Sequence, residues 1–235
     1  LQTVLNLLRR CKLPVNNVED GMQKHEMSVG NADCDIQGFS NQHIQAAVDR
    51  VAYMGGGTVT LSVGTFDCAD AVHLRSGVTL RGQGMETVLR KNTMKQSPLS
   101  GYIAYGHEDL IVADPDLFNI GDGFILGDNN TGGFKDTQGT IVGKQDDYLV
   151  ASTKHEADYW HTRDGVVKTL YPLVSVINEN NVLIEGLQLD GNSAENDILN
   201  GCRGGAFFGH FSDDVHLCDV HVRDFNGEGF SFQTC

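Results

Sequence analysis

The sequence predicts an all-β chain wound as a parallel solenoid, led by one capping helix and interrupted by a β-rich insertion. Three observations carry that prediction. SGVTLRGQGM (76–85), NNVLIEGLQLDGN (180–192) and DDVHLCDVHVRDF (213–225) share a template of small polar residue, Val, any residue, aliphatic residue. A companion pair, GAFFGHF (205–211) and GFSFQTC (229–235), repeats with an offset of 24 from Gly205 to Gly229. A period in the low twenties with short strands marks a parallel β-solenoid, in which each coil buries its inner face only by stacking on its neighbours. The third observation is SNQHIQAAVDRVAYMGGG, an amphipathic helix placed where the first coil needs its open edge covered.

The elements follow in chain order. Residues 1–35 read as an extension, with a short helix over about 3–10 and then polar loop. In 36–98, Ile44, Ala47, Val48, Val51 and Ala52 share one helical face; Ser40 or Asn41 caps the start and Gly55–Gly57 ends the helix. TVTLSVGTF, VHLRSGVTLRG and TVLRK then read as the first strands. Residues 99–170 are β-rich but out of register with the repeat, an inserted set of hairpins with KQDDY as one tight turn. Residues 171–235 return to the coils. Val182 and Val215 lie 33 positions apart, 9 more than the 24-residue spacing, so extra residues fall in the loop DGNSAENDILNGCRG. Long loops on a regular solenoid carry binding or chemistry. The chain stops inside a strand pattern, which reads as a fragment of something longer.

Composition narrows the partners. A net charge of −14 leaves no basic stripe for nucleic acid and disfavours anionic membrane surfaces. An acidic polysaccharide would bind through local cations or a bridging metal ion. The six cysteines show no zinc-like spacing and read as buried thiols, with one or two disulfides if the protein is exported. Neither a signal peptide nor a membrane-spanning run stands in the sequence.

IQAAVDRVAYMGGGTVTLSVGTF with LRSGVTLRGQG, and later LDGN, NGCRGG and RDFNGEGFSFQ, resemble the cap, first coils and later coils of the pectate-lyase-like superfamily. The resemblance covers about 36–92 and 173–235. It implies a right-handed parallel β-helix and an extracytoplasmic, carbohydrate-active protein: a glycoside hydrolase or polysaccharide lyase working in a groove along the helix, or a non-catalytic, tailspike-like glycan binder. Fold alone does not choose among these. No cofactor is required; Ca2+ enters only if the chemistry is elimination. Oligomeric state is left open.

Four residues are candidates for catalysis. Asn226-Gly227-Glu228-Gly229-Phe230-Ser231-Phe232 is similar to the Asn-Thr-Asp-Gly-Ile-Asp-Ile of polygalacturonases, which places Asn226 on substrate and Glu228 at the catalytic-type carboxylate. Glu replaces Asp and Gly replaces Thr, and Glu228 reads equally as a solvated turn acid. Its coil-equivalent residue is expected to be Gly204, so a partner carboxylate must come from the loop. Asp190 is the second candidate. Arg203 either binds a uronate or pins the loop by an ion pair. His210 is the candidate base. Asn192, Asn226, Glu195 and Asp197 are expected to bind substrate. Asp213 and Asp214 fit a polar turn, His216 and His221 face outward, and Cys218, Cys235, Phe207, Phe230 and Phe232 fit inward or floor positions.

Overall fold

A computed structural model describes residues 25–235. The helix expected over 3–10 and Cys11 lie outside the described residues. The described residues begin with β1 (His25–Gly30) and β2 (Ile36–Gln37), so part of the expected polar loop is strand. Met27 and Val29 point inward from β1, which pairs in parallel with the strand after the helix. A half-polar HEMSVG carries too few apolar positions to announce a strand by itself.

Helix α1 (Asn41–Tyr53) buries Ile44, Ala47, Val48 and Val51. Ser40 occupies the N-cap position, but its hydroxyl meets His43 Nδ1 at 2.7 Å instead of a helix N–H. The glycines that follow end the helix with positive φ. At Gly57 a Cβ would lie 2.0 Å from His25 O, so β1 can approach only a glycine there.

The first coil holds β3 (Gly57–Leu61), β4 (Gly64–Cys68) and β5 (Val72–His73). The second starts with β6 (Val78–Arg81) and β7 (Thr87–Lys91). The chain then leaves for a six-stranded sheet made of β8 (Gln96–Pro98), β9 (Asp109–Leu110), β10 (Gly123–Gly127), β11 (Thr137–Lys144), β12 (Leu149–Ala151) and β13 (Val166–Lys168). Every pairing in that sheet is antiparallel. KQDDY closes the β11–β12 hairpin, with Gln145 N–H donating to Tyr148 O at 2.8 Å. The second coil is completed by β14 (Val174–Ile177). The third is β15 (Asn180–Asp190) with β16 (Phe207–His210), and the fourth is β17 (Asp213–Arg223) with β18 (Phe230–Gln233).

Pairing between coils is parallel throughout. One ladder stacks β1, β3, β6 and the first halves of β15 and β17; a second stacks β4, β7 and the second halves; a third stacks β5, β14, β16 and β18. The protein is a parallel β-helix. The three template copies fall on one row, since Leu80 pairs with Ile184 and Ile184 with Leu217. The corner between the first two ladders needs left-handed backbone, taken by Gly186 (φ 62°) on one coil and Asp219 (φ 51°) on the next. Asn181 and Asp214 take the same left-handed backbone at the starts of β15 and β17, and Asp213 N–H donates to Asn180 Oδ1 at 3.0 Å.

One register differs from the expected one. Phe207 pairs with Phe230, a spacing of 23, so Gly205 rather than Gly204 stands opposite Glu228. The longer coil therefore carries 10 extra residues rather than 9.

The β-helix core runs from Val29 and Val51 at the helix end to Val182, Ile184, Leu189 and Phe207. The antiparallel sheet has its own core around Phe118, Phe124, Leu126, Ile141 and Tyr159. Cys68, Cys218 and Phe207 are buried, whereas Cys235, Phe230 and Phe232 on the last coil are exposed, which excludes the inward positions for these three but not a floor position for the two phenylalanines. Cys34, Cys68, Cys202 and Cys235 are free thiols. Among the described residues no helix is long and apolar enough to cross a membrane.

Candidate functional site

The extra-long loop of the third coil does not hold its candidates together at one point. Its first part is a packed structural knot. Asp190 ends β15, buried, with Oδ1 accepting Asn192 N–H at 3.0 Å and Oδ2 accepting Arg223 Nη2 at 2.7 Å. It belongs to a row of alternating charge on successive coils, Asp67, Arg90, Asp190 and Arg223. Asn192 takes left-handed backbone, accepts from Arg90 Nη2 at 3.2 Å and donates to Glu195 Oε2 at 2.8 Å. Glu195 also accepts from Thr93 Oγ1 at 2.6 Å; the Thr93 hydroxyl, and then the Asn192 amide, hold its carboxyl below the usual range. Asn226 reaches back from the fourth coil and donates to Ser193 O and Asn196 O at 2.7 and 2.6 Å. All four residues spend polar atoms on hydrogen bonds within the protein, although Glu195 stays exposed.

Glu228 stands apart from this knot. It is exposed, and its carboxylate lies over Gly201, where an added Cβ would come within 2.3 Å of Oε1. His210 stacks on Phe211 with ring centroids 4.1 Å apart; partial burial, with the Arg203 charge as a smaller cause, pushes its pKa down.

The second part of the loop turns toward the antiparallel sheet. Asp197 Oδ2 accepts from Lys168 Nζ at 2.6 Å. Arg203 donates through Nε to Gly133 O at 2.9 Å and through Nη2 to Phe134 O, and Nη1 lies 4.0 Å from Glu156. The guanidinium fork thus clamps the coil to the turn that precedes β11. Between these two attachments lies an open groove of about 260 Å³. Ile198 and Asn200 of the loop form one side; Asp128, Asp136, Asp164 and Lys168 of the antiparallel sheet line the rest.

Strand pairing brings these carboxylates to one end of the sheet. Leu126 pairs with Thr137 and Gly127 with Val166, so Asp136 and the β13 end flank Gly127 on either side. Gly127 keeps the floor open, because a Cβ there would sit 2.7 Å from Asp136 Oδ1. Asp128 is an internal anchor, accepting Asn130 N–H at 2.8 Å and Trp160 N–H at 3.1 Å. Asp164 takes left-handed backbone and accepts from Asn129 Nδ2 at 2.7 Å. Asp136 accepts a 2.8 Å hydrogen bond from Thr131 Oγ1. Burial raises its pKa, with the nearby Asp128 charge adding to the rise, while Thr131 and Arg203 work against it. A carboxyl group so placed retains its proton to higher pH than a solvated aspartate.

The sequence-level candidates Arg203 and Asp197 do not line the groove themselves; they bond to Gly133 and Lys168 beside it, and the acids that line it are not singled out by the sequence alone. The only local signal is GDNNTGGFKD, a glycine-rich turn with acids at both ends between two apolar strands. Among the described residues no group of three or more His, Cys, Asp and Glu side chains converges as metal ligands.

No family model matches the chain. No curated protein matches it either. Among solved structures, the chain is similar to the A-module of the Azotobacter vinelandii mannuronan C-5 epimerase AlgE6, at 19% identity and TM-score 0.43, over 82% of this chain and 35% of that one. It is similar to the tailspike gp61 of Pseudomonas phage phi297, at 11% identity and TM-score 0.33, over 77% and 42%. It is also similar to the gp54 tailspike of Acinetobacter baumannii phage AP22, solved in complex with A. baumannii capsular saccharide, at 9% identity and TM-score 0.30, over 77% and 34%. The chain spans less than half the length of each of these three.

Proposed function

We propose that the protein acts on a polysaccharide, and that the groove between the third-coil loop and the antiparallel sheet is where it cleaves a glycosidic bond. The observation that supports this most is the placing of a half-buried Asp136, whose pKa burial raises, with an exposed Asp164 in one open groove. Glycoside hydrolysis needs one carboxyl as acid and a second as base or nucleophile, with environments that set their pKa values apart. The two strand ends lie two strand spacings apart, about 10 Å between backbones. Asp136 donates its proton to the leaving glycosidic oxygen. Asp164 takes a proton from water on the other side of the sugar. Lys168, Asn129 and Asn200 offer hydrogen bonds to hydroxyl or carboxylate groups of the glycan.

The experiment is incubation of the protein with a panel of neutral and acidic polysaccharides. New reducing ends without the ultraviolet absorbance of an unsaturated uronate support hydrolysis. New ends with that absorbance indicate elimination and overturn the acid and base roles of Asp136 and Asp164. Binding without new ends indicates a glycan-binding solenoid instead of an enzyme.

A further inference from the structure

A second constellation lies on the third ladder, away from this groove. His73 and Ser175 are register partners on adjacent coils, so their side chains stand side by side on the outer face while Val72 and Val174 point into the core. Ser175 Oγ lies 2.7 Å from His73 Nδ1. The other ring nitrogen, Nε2, faces Asp70 Oδ2 at 3.6 Å. Asp70 is itself fixed, its Oδ1 accepting Ala71 N–H at 2.7 Å and its Oδ2 accepting Thr140 Oγ1 at 2.5 Å. This favours the tautomer with the proton on Nε2, turned toward Asp70, and leaves Nδ1 to accept from the Ser175 hydroxyl. The ring is turned over relative to serine hydrolases, in which the hydroxyl meets Nε2; both nitrogens can accept a proton.

Two cavities give the cluster a use. Ser175 is buried but lines a cavity of about 80 Å³ with Tyr171, Gln138 and Ile177. Asp70, Ala71 and His73 line both this cavity and a groove of about 380 Å³ that also takes in Gln42, Arg75 and Ser152. Gln138 lines the small cavity, and its Nε2 is buried without a hydrogen-bond partner. A buried amide donor left unpaired is costly, and a native site that keeps one invites an acceptor.

We propose that Ser175, His73 and Asp70 form an acyl-ester hydrolase site, with the alcohol part of the ester in the wide groove and a small acyl group in the inner cavity. An inner cavity of this size admits an acetyl-sized group and no sugar ring. Ser175 Oγ attacks the ester carbonyl carbon while its proton passes to His73 Nδ1. The carbonyl electron pair moves onto oxygen, where Gln138 Nε2–H donates to it. Collapse breaks the bond to the alcohol oxygen, which takes the proton back from His73 and leaves. Water, deprotonated by His73, then cleaves the acyl-serine to give a carboxylic acid and restore Ser175. Ester and water go in; alcohol and acid come out. Asp70 is a positioning residue that steadies the imidazolium.

The test is treatment of the whole folded chain with a fluorophosphonate ester, followed by peptide mass mapping, beside turnover of 4-nitrophenyl acetate. The expected result is one covalent adduct, on Ser175, with acetate turnover reduced at least about 100-fold in Ser175→Ala and His73→Gln. Gln138→Ala is expected to lower kcat more than it changes KM. An adduct elsewhere, absence of any adduct, or unchanged turnover in Ser175→Ala overturns the proposal. Labelling is read on the unaltered protein, so it decides the matter even if a variant fails to fold. Ester hydrolysis and chain cleavage give different products, so the outcome is independent of the glycan groove.

Discussion

Asp190 Oδ2 accepts a 2.7 Å hydrogen bond from Arg223 Nη2, and the two residues are register partners on successive coils. Asp190 is buried while Arg223 is about half exposed, so the pair sits at the rim of the stack. Its other oxygen caps the N–H of Asn192 at the start of the long loop. Asp190→Ala leaves that N–H without its partner and unpairs the arginine. A loss of about 1–3 kcal/mol in stability is expected, measured by urea denaturation. With the chemistry in the glycan groove, turnover per folded molecule stays unchanged.

Lys91 gives a pH signature. It is 2% exposed, points inward from β7, and its Nζ lies 4.8 Å from the Tyr171 ring centroid and 5.2 Å from that of Phe225. Burial pushes its pKa down to about 7, from an ordinary 10.5. Between those two values the folded chain holds fewer protons than the unfolded chain, so stability rises with pH across that window, by up to about 1.4 kcal/mol per unit. Below pH 7 the buried cation carries its full cost. Lys91→Met is therefore expected to raise Tm more at pH 6 than at pH 10; an equal gain at both would show that the charge is not the cause.

Arg203 joins the coil to the antiparallel sheet through carbonyls of Gly133 and Phe134. Removing the side chain by Arg203→Ala is expected to speed amide hydrogen exchange at 133–136. Lysine at that position restores charge but not the two-pronged donor geometry, so Arg203→Lys should recover little of the protection. Because the arginine charge opposes the rise in the Asp136 pKa, Arg203→Ala moves that pKa higher still. The alkaline limb of a polysaccharide pH–rate profile then shifts upward, since Asp136 is active while protonated.

Much of the β-helix is legible in the sequence because stacking converts one coil's pattern into a repeat. Val182 and Val215 pair as their sequence copies suggest, and α1 is legible because its apolar positions fall on one helical face. The one-residue difference at Gly205 arises from the adjacent Gly204–Gly205, which offers two starting points; Phe207 pairing with Phe230 sets the true register. The glycan groove is hidden for a different reason. Asp136 and Asp164 are 28 positions apart and meet only because β11, β10 and β13 pair in that order. Antiparallel pairing of single hairpins leaves no repeat to read. His73 and Ser175 are equally hidden, since the insertion separates two strands that are neighbours in space.

The most direct measurement is depolymerisation of a responsive polysaccharide by the unaltered chain, Asp136→Asn and Glu228→Gln, compared at equal folded concentration. Loss of the proton donor is expected to cut turnover about 100- to 10,000-fold in Asp136→Asn and to leave Glu228→Gln close to the unaltered chain. Full turnover in Asp136→Asn, or its loss in Glu228→Gln, would contradict the account and move the chemistry to the fourth coil.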